Sequence, residues 1–422
     1  MRRLNTTFRL PVAIVIAIAM VAAGCSSGTA NTTTRVVEAV TTTTASTVTT
    51  ATPATTTTVD QTTTAPAGDA ADWEWLNDVS DVAVASDGLV YVVAPIGVAS
   101  LDASGAWTLI DVNDLPEGSG LEDGWPGRLI SLLAVGPDGD LWVAGHATSE
   151  AEDEQFGGVA DWGGNRFLTW VARHECDPAP CSWTVFTTND TPYLDGDIGD
   201  LAVGSDGTVF ASIGDNQLLV FDGTAWESHT LSDLPTGWNG AVSPWSSSLA
   251  IGTDGMLWAG TNGGRGLYAF DGTSWTSYTI ADGLPDNQTF MVTAASNGTI
   301  WVATDALYNS PSTASPEAAA GVASFDGTSW TSYTIADGLL SNDTVVVAGP
   351  DGSVWAVHYE IPPYGYARFN GTEWTSYPVD EPVGGFRTDA DANGTLWTIA
   401  NGEVISFDGT TKTIYSTPFT HP

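Results

Sequence analysis

The sequence predicts an all-β fold, a seven-bladed β-propeller of four-stranded antiparallel blades preceded by a disordered stalk. Three observations predict it: a hairpin dipeptide that recurs seven times, an aromatic residue at a fixed place after each dipeptide, and a Thr-rich segment near the start. Asp-Gly or Asn-Gly between two apolar runs favours a tight hairpin, because both central residues tolerate positive φ. The dipeptides are Asp87-Gly88, Asp138-Gly139, Asp206-Gly207, Asp254-Gly255, Asn297-Gly298, Asp351-Gly352 and Asn393-Gly394.

The repeated unit has the length and pattern of a propeller blade. Successive dipeptides are 42 to 68 residues apart, too far for one hairpin but suited to four strands with variable loops. Strand A, which precedes the dipeptide, is apolar, and strands C and D meet at a second hairpin such as Phe270-Asp271-Gly272. The aromatic residues of strand B are Tyr91, Trp142, Phe210, Trp258, Trp301, Trp355 and Trp397. Those of strand D are Trp107, Trp183, Trp226, Trp275, Trp330 and Trp374, and Lys412 breaks the pattern in the last unit.

Residue size along the repeat agrees with radially arranged sheets. Large aromatic side chains fill the space that widens between blades away from the axis. Small side chains are needed where the inner strands converge. The residues four positions before each hairpin Asp or Asn are Ala83, Ala134, Ala202, Ala250, Thr293, Val347 and Asp389.

The first 24 residues are predicted to be an export signal. A basic start with Arg2, Arg3 and Arg9 is followed by an apolar stretch over residues 11–24, too short for a stable membrane span. The run Val21-Ala22-Ala23-Gly24-Cys25 resembles the bacterial lipobox, whose Cys is lipidated and becomes the mature N-terminus. That motif usually has Leu where Ala22 stands, and an ordinary secretory signal is the alternative.

Residues 25–70 are predicted to carry the lipid on Cys25 and to form the stalk, with the propeller over residues 71–422. Residues 29–64 contain 19 Thr and almost no large apolar side chain, so they cannot bury enough surface to offset the entropy of ordering. The composition permits O-glycosylation. The other two cysteines, Cys176 and Cys181, are separated by Asp-Pro-Ala-Pro and are predicted to form a disulfide in an oxidising compartment.

The charge of the chain excludes one class of partner. After removal of residues 1–24 the chain keeps 8 of its 11 basic and all 50 of its acidic residues, a net charge of 8 − 50 = −42. Basic patches supply most of the affinity for DNA, RNA and anionic lipid surfaces. We therefore expect no nucleic-acid partner and membrane contact only through the lipid. A generally acidic surface with no specific partner is the simplest account.

The repeats resemble two families of propellers. "FDGTSWTSYTIADGLPDNQ" followed by "NGTIWVAT" resembles the propeller repeats of bacterial two-component-regulator ectodomains. "AVGPDGDLWVAGH" and "AGPDGSVWAVH" look like streptogramin-lyase-type propellers, which are seven-bladed. The resemblance covers about 345 residues and is specific for architecture, whereas such repeats host unrelated functions.

One face of the predicted ring carries the long connections. The B–C and D–A connections share that face, and they are long at residues 111–128, 145–158, 232–245, 304–321 and 358–365. Loops on a rigid scaffold are where binding residues gather. Three tryptophans outside the blade pattern fall there and are predicted to bind a sugar or protein partner, or else to cap the core: Trp125, Trp238 and Trp245.

Polar residues are predicted at the mouth of the channel on this face. Asp81, Asp200 and Arg387 occupy a matching level at the start of strand A. The residues four positions after the strand B aromatics add ligand-binding candidates, which include Asn262, Asp305, Tyr359 and Asn401. Such a mouth either holds a small ligand or cation or is filled with water.

The sequence contains few residues that indicate catalysis or metal binding. The lyase resemblance implies a His general base with a carboxylate-held Mg²⁺, for which His146, His358 and Glu360 are the only candidates. Since His146 and His358 lie in units 2 and 6, they do not form an acid–base pair within hydrogen-bond reach. Asp389, Asp391 and Asn393 resemble a calcium loop with alternating oxygen ligands, although a strand A followed by an Asn-Gly hairpin explains them as well.

These observations lead to one expectation with two alternatives. We expect a monomeric, surface-anchored lipoprotein of the bacterial envelope that binds a small molecule, glycan or envelope protein without catalysis and needs no cofactor, with calcium as an option. The alternatives are a lyase or hydrolase that uses His146, His358 and Glu360, and a purely structural envelope protein.

Overall fold

The computed structural model of the protein describes residues 49–50, 55–59 and most of 79–419. The gaps in the last range are 95–96, 111, 113–128, 150–158, 161–165, 177–180, 188–189, 192–193, 195–197, 214–216, 231–247, 262–263, 305–320, 360–361 and 386. All described residues belong to one compact unit, residues 46–422. The helices among them are the 3-10 helices Ile280–Asp282 and Ile335–Asp337, and none is long and apolar enough to cross a membrane.

Seven antiparallel sheets follow one another along the described chain, and each is built from four consecutive principal strands. Before them lie β1 (Thr49–Thr50) and β2 (Thr55–Val59). Blade 1 contains β3 (Asp81–Val84), β4 (Val90–Ala94), β5 (Gly97–Leu101) and β6 (Trp107–Ile110). Blade 2 contains β7 (Leu129–Val135), β8 (Leu141–Ser149), the short β9 (Val159–Ala160), β10 (Arg166–Glu175) and β11 (Ser182–Phe186). Blade 3 contains β12 (Ile198–Val203), β13 (Val209–Ile213), β14 (Gln217–Phe221) and β15 (Trp226–Thr230).

The remaining four blades repeat this pattern. Blades 4 and 5 contain β16 (Leu249–Ile251), β17 (Leu257–Ala259), β18 (Leu267–Phe270) and β19 (Trp275–Tyr278); and β20 (Thr289–Ala294), β21 (Ile300–Thr304), β22 (Gly321–Phe325) and β23 (Trp330–Tyr333). Blades 6 and 7 contain β24 (Val345–Ala348), β25 (Val354–His358), β26 (Tyr364–Phe369) and β27 (Trp374–Val379); and β28 (Thr388–Ala390), β29 (Leu396–Ala400), β30 (Glu403–Phe407) and β31 (Thr411–Tyr415).

The inner strands close a ring. The first strand of each blade contacts the first strand of the next, through β3, β7, β12, β16, β20, β24 and β28, and β28 returns to β3. This arrangement confirms the seven-bladed β-propeller predicted from the repeat. The disulfide between Cys176 and Cys181, at the C–D connection of blade 2, is also confirmed.

The hairpins between strands A and B are present, but their turn type differs from the prediction. In blade 1 the N–H of Gly88 donates to the carbonyl of Ala85 at 3.0 Å, and Gly88 has a φ of 89°. Asp87 does not take positive φ. Its carboxylate instead accepts the N–H of Leu89 at 3.0 Å. The dipeptide is therefore a type I turn that ends in a left-handed Gly, where only the second residue needs conformational freedom.

Aromatic side chains from strands B, C and D fill the space between blades, as predicted. Trp301 of blade 5 is buried and packs edge-on against Phe369 and Trp374 of blade 6, with ring centroids 5.1 and 5.8 Å apart. Trp142 of blade 2 makes the equivalent contacts with Phe221 and Trp226 of blade 3, at 5.6 and 6.5 Å. Such edge-to-face pairs add about 0.5–1.5 kcal/mol beyond the area they bury.

Two short segments of the Thr-rich region differ from the predicted disorder. β1 pairs in parallel with β27, and β2 pairs in parallel with β31, so that the sheets of blades 6 and 7 gain a fifth, outermost strand. The physical reason is that the outer strand of a blade presents a row of unpaired N–H and C=O groups, which another extended segment satisfies. Thr is β-branched and favours that conformation.

We predict that Gly321→Ala destabilises the propeller more than Gly327→Ala. Both glycines have positive φ, 82° and 94°, so both substitutions carry the left-handed strain of about 1–2 kcal/mol. A Cβ at Gly321 would lie 2.2 Å from the carbonyl oxygen of Tyr333, whereas a Cβ at Gly327 meets nothing within 4 Å. Thermal unfolding of the two variants measures the difference, and equal melting temperatures would contradict the close approach of β22 to β23.

Candidate functional site

Three charged residues lie at the starts of inner strands, which converge toward the axis of the propeller. Asp81 begins β3, Asp200 lies near the start of β12, and Arg387 directly precedes β28. Each stands six residues before its hairpin Asp or Asn. Because the inner strands converge and begin after the D–A connections, these side chains gather at the channel mouth on the loop-rich face.

The guanidinium of Arg387 lies between two carboxylates from different blades. Its Nη1 is 3.9 Å from Oδ2 of Asp81 in blade 1 and 3.7 Å from Oδ1 of Asp200 in blade 3. The Arg387 side chain is 34% exposed, against 8% for Asp81 and 18% for Asp200. The matching level inferred from the sequence is thus confirmed, and the cation is the most accessible member of the cluster.

The carboxylates are held by backbone N–H groups of two blades. Asp81 accepts the N–H of Val82 at 2.9 Å and that of Leu133, in blade 2, at 3.0 Å. Asp200 accepts the N–H of Leu201 at 2.9 Å and that of Leu249, in blade 4, at 2.8 Å. Both carboxylates are therefore held in position by hydrogen bonds from the backbone.

Asp389, two residues after Arg387 on the inner strand of blade 7, forms a hydrogen-bonded bridge between a third pair of blades. Its carboxylate accepts the N–H of Ala390 at 2.7 Å and the N–H of Val84, in blade 1, at 2.7 Å. Thr293 stands at the same level of blade 5 and makes an equivalent bridge without a charge. Its Oγ1 accepts the N–H of Ala348, in the next blade, at 3.2 Å. The sequence analysis placed Asp389 among small inner residues and in a calcium loop, and it did not predict this bridge.

Burial shifts the acidity of the cluster. Desolvation raises the pKa of Asp81, and it raises that of Asp200 to about 6, while the charge of Arg387 opposes both shifts. Desolvation likewise raises the pKa of Asp389 to about 6 against its backbone hydrogen bonds. With pKa values of about 6, Asp200 and Asp389 are mostly ionised at neutral pH, and mild acid removes their charge.

The contacts of Arg387 with its two carboxylates are ion pairs. Its two ion pairs, at 3.7 and 3.9 Å, are longer than hydrogen bonds. Among the described residues no acceptor lies within hydrogen-bond distance of its guanidinium, which has five N–H donors. The mouth therefore presents donors on a central cation beside fixed carboxylate acceptors.

The lyase candidates are not brought together in the described part of the chain. His358 is fully buried, its Nε2 accepts the N–H of Leu340 at 3.4 Å, and desolvation lowers its pKa to about 3. It is neutral and packed within blade 6, out of reach of a ligand in solvent. The side chain of His146 and all of Glu360 lie outside the described residues.

The oxygens of the calcium-loop candidates already accept N–H groups. Oδ1 of Asp391 accepts the N–H groups of Asn393 and Thr395 at 2.9 and 2.8 Å. Its Oδ2 accepts the indole N–H of Trp397 at 3.4 Å, and Asp389 bridges blades 7 and 1. These contacts form a turn without an ion, and the calcium site stays a prediction.

Only two of the predicted ligand-binding residues are described. Tyr359 is half-buried and packs so closely on Gly385 that a Cβ there would lie 2.4 Å from its ring. Asn401 is exposed, with a φ of 54°, and forms a tight B–C hairpin with Gly402. Trp125, Trp238, Trp245, Asn262 and Asp305 lie outside the described residues.

Solved structures resemble this chain in fold, although no family model and no curated protein matches its sequence. A streptogramin B lyase matches with a TM-score of 0.53 and 13% identity, over 78% of this chain and 93% of that chain. Virginiamycin B lyase from Staphylococcus aureus matches with a TM-score of 0.50 and 12% identity, over 79% and 95%. An extracellular domain assigned to a one-component system of B. thetaiotaomicron matches with a TM-score of 0.40 and 12% identity, over 80% and 55%.

These comparisons define the class of protein. The chain is a seven-bladed β-propeller with the architecture of the streptogramin-lyase propellers, as the repeats predicted. At such low identity the likeness shows the fold alone, because propellers host unrelated functions. The activity in the names of those proteins is theirs.

We predict that Arg387→Met raises the pKa of Asp200 above about 6, since the opposing positive charge is lost. Between pH 4 and 6 the folded state then binds more protons than the unfolded state, so stability at pH 7 falls relative to that at pH 5. Carboxyl NMR titration and unfolding at the two pH values measure this. Arg265→Met, in the B–C connection of blade 4, is the control. Unchanged titration in Arg387→Met would contradict the ion pair.

We predict that a chelator leaves the melting temperature unchanged, because the oxygens of Asp389 and Asp391 are engaged by N–H groups. Differential scanning fluorimetry with EDTA and with added calcium measures this. A calcium-dependent rise that Asp391→Asn abolishes, and that Asp271→Asn in an exposed hairpin does not, would establish the calcium loop instead.

Proposed function

We propose that this chain is a non-enzymatic binding module, held on the outer side of a bacterial membrane by a lipid on Cys25. Its propeller binds a ligand, glycan or envelope protein through the loop-rich face. The observation that carries the proposal is the half-exposed Arg387, whose N–H donors have no described acceptor while fixed carboxylates flank it.

The chemistry of the mouth favours a ligand rich in oxygen atoms. Carboxylate oxygens have lone pairs beyond those used by one N–H each, so Asp81 and Asp200 are able to accept hydroxyl groups as well. Arg387 donates to hydroxyl, carbonyl or carboxylate oxygens. A sugar offers alternating donors and acceptors of this kind. Trp125, Trp238 and Trp245 supply stacking surfaces if they lie on the same face.

The lyase alternative has less support. His358 is buried with a pKa lowered to about 3, whereas a general base needs a pKa near the working pH and contact with its substrate. No described contact links it to a carboxylate that could serve with it. We therefore place the binding role first.

We predict that Arg387→Ala weakens binding about ten- to a hundredfold, the effect of losing one or two charge-assisted hydrogen bonds. Glycan-array binding and pull-down from envelope extracts measure it. Lys412→Ala is the control, because it removes one positive charge from the outer strand of blade 7, next to a C–D hairpin on the opposite face. A folded Arg387→Ala variant that binds as the parent does would move the site away from the channel mouth.

The tryptophan loops are tested in the same assays. Trp125→Ala with Trp238→Ala is expected to reduce glycan or protein binding and to leave the melting temperature of the propeller unchanged. Unchanged binding profiles would exclude these loops, and a large loss of stability would show that they cap the core.

A further inference from the structure

The C–D connection of blade 2 departs from the repeat at three positions. In the other blades, the residue of strand C that pairs with the strand D Trp, or with Lys412 in blade 7, is Leu or Phe: Leu101, Phe221, Phe270, Phe325, Phe369 and Phe407. In blade 2 this residue is His174, which pairs with Trp183. Cys176 and Cys181 lie in the connection that follows. A histidine and two cysteines thus replace the repeat at one place.

The hairpin does not need a cross-link in order to close. In blade 4 the carboxylate of Asp271 accepts the N–H groups of Thr273 and Ser274 at 2.8 and 2.7 Å, and this closes the same connection. The disulfide of blade 2 joins residues only five positions apart. A disulfide stabilises a fold less as the loop that it closes becomes shorter. Stabilisation of the hairpin therefore does not explain why His174 accompanies the two cysteines.

The three side chains have the spacing of metal ligands. Nδ1 of His174 is 3.8 Å from Sγ of Cys176. One ligand atom from each of His174, Cys176 and Cys181 lies within 4.8 Å of the other two. A tetrahedral Zn²⁺, with bonds of about 2.0–2.1 Å to nitrogen and about 2.3 Å to sulfur, places these two atoms about 3.6 Å apart. The imidazole is therefore close to the position that it would take beside a thiolate on a shared ion.

The strands hold these residues without help from the disulfide. The ladder between β10 and β11 continues to the pair of Glu175 and Ser182, so each cysteine directly adjoins the last paired residue. His174 and Cys176 are two residues apart at the end of β10, which directs their side chains to the same face. The His174 ring packs on Trp183, with ring centroids 4.6 Å apart. The potential ligands thus remain together when the bond between the sulfur atoms is broken.

The charge next to the cysteines favours a cation. Arg173 forms ion pairs with Asp140 and Glu175, and its Nη2 is 3.8 Å from Oδ2 of Asp138. One positive charge against three negative charges leaves 1 − 3 = −2 on this part of the blade. Negative potential raises the local concentration of cations. Both cysteines are exposed, so an ion and a reductant have access to them.

We propose that the C–D connection of blade 2 becomes a Zn²⁺ site when its disulfide is reduced, with His174, Cys176 and Cys181 as three ligands and water as the fourth. Two thiolates and one imidazole with an open fourth position are a ligand set that Zn²⁺ takes in proteins. The oxidised hairpin has no thiolate and binds no ion through sulfur.

The reductant is a dithiol. It supplies two electrons and two protons, so the bond between Cys176 and Cys181 breaks to give two thiols while the dithiol becomes a disulfide. Binding of Zn²⁺ then releases both thiol protons to water. C–D connections lie on the face opposite the channel mouth. The site is therefore independent of ligand binding at Arg387.

Metal titration of the full-length Cys25→Ser protein tests the proposal. A phosphine and one water reduce the disulfide to two thiols and leave the phosphine oxide, which is removed under anaerobic conditions. Co²⁺ is the spectroscopic probe, and Zn²⁺ affinity is measured by competition with a chromophoric chelator. We expect one equivalent of Co²⁺ to give a thiolate-to-cobalt charge-transfer band, which Zn²⁺ abolishes, in the reduced protein only. The same weak Zn²⁺ binding before and after reduction, without this band, would show an acidic surface only and overturn the proposal.

A substitution to the residue of the other blades tests the role of His174. His174→Phe installs the side chain that five other blades have opposite strand D, so we expect the fold and the melting temperature to be kept. Zn²⁺ affinity of the reduced protein is expected to fall at least about tenfold, since a ligand is lost. His229→Phe is the matched control, because His229 also packs on an aromatic ring, that of Phe270 at 4.9 Å, on a strand without Cys. Unchanged affinity in folded His174→Phe would overturn the three-ligand site.

Discussion

The inner strand of each blade pairs with a neighbouring strand on one side only, so backbone N–H groups on its other edge need different hydrogen-bond acceptors. The stability of the ring depends on how these N–H groups are satisfied. Asp81, Asp200 and Asp389 each accept an N–H from the inner strand of the following blade. A hydrogen bond to a charged group contributes about 1.5–3 kcal/mol, and an unsatisfied buried donor costs about 1–3 kcal/mol. The carboxylates therefore join blades at the place where large side chains do not fit.

The same constraint creates the site. A carboxylate that bridges two blades must be buried, and burial raises its pKa toward 6 for Asp200 and Asp389. A cation nearby offsets part of that cost, which is the role of Arg387 beside Asp81 and Asp200. Arg387 meets them at ion-pair distances of 3.9 and 3.7 Å and so stabilises their charge without a direct hydrogen bond. The residues that brace the blades are thus the same residues that form the proposed binding site.

Sequence reasoning predicted the architecture because blade geometry is repeated seven times. The hairpin glycines, the strand B aromatics and the level of Asp81, Asp200 and Arg387 all follow from position within the repeat. It was wrong about the turn type, because φ at Asp87 depends on hydrogen bonds around Ala85. It did not predict the bridge from Asp389 to Val84, whose residues are 305 positions apart, nor the burial of His358. Such long-range contacts leave no local pattern.

The Thr-rich region shows how context overrides composition. By itself a polar Thr segment lacks the apolar surface that would order it. Next to an unpaired strand edge it needs none, because the edge supplies hydrogen bonds along its length and Thr already favours extended backbone. A Lys on an edge strand ordinarily discourages pairing with other chains. On β31, Lys412 stands at the position that pairs with Thr56. Its charge discourages pairing with other molecules. The chain's own Thr-rich segment pairs there because its covalent link to the propeller gives it a high effective concentration at this edge.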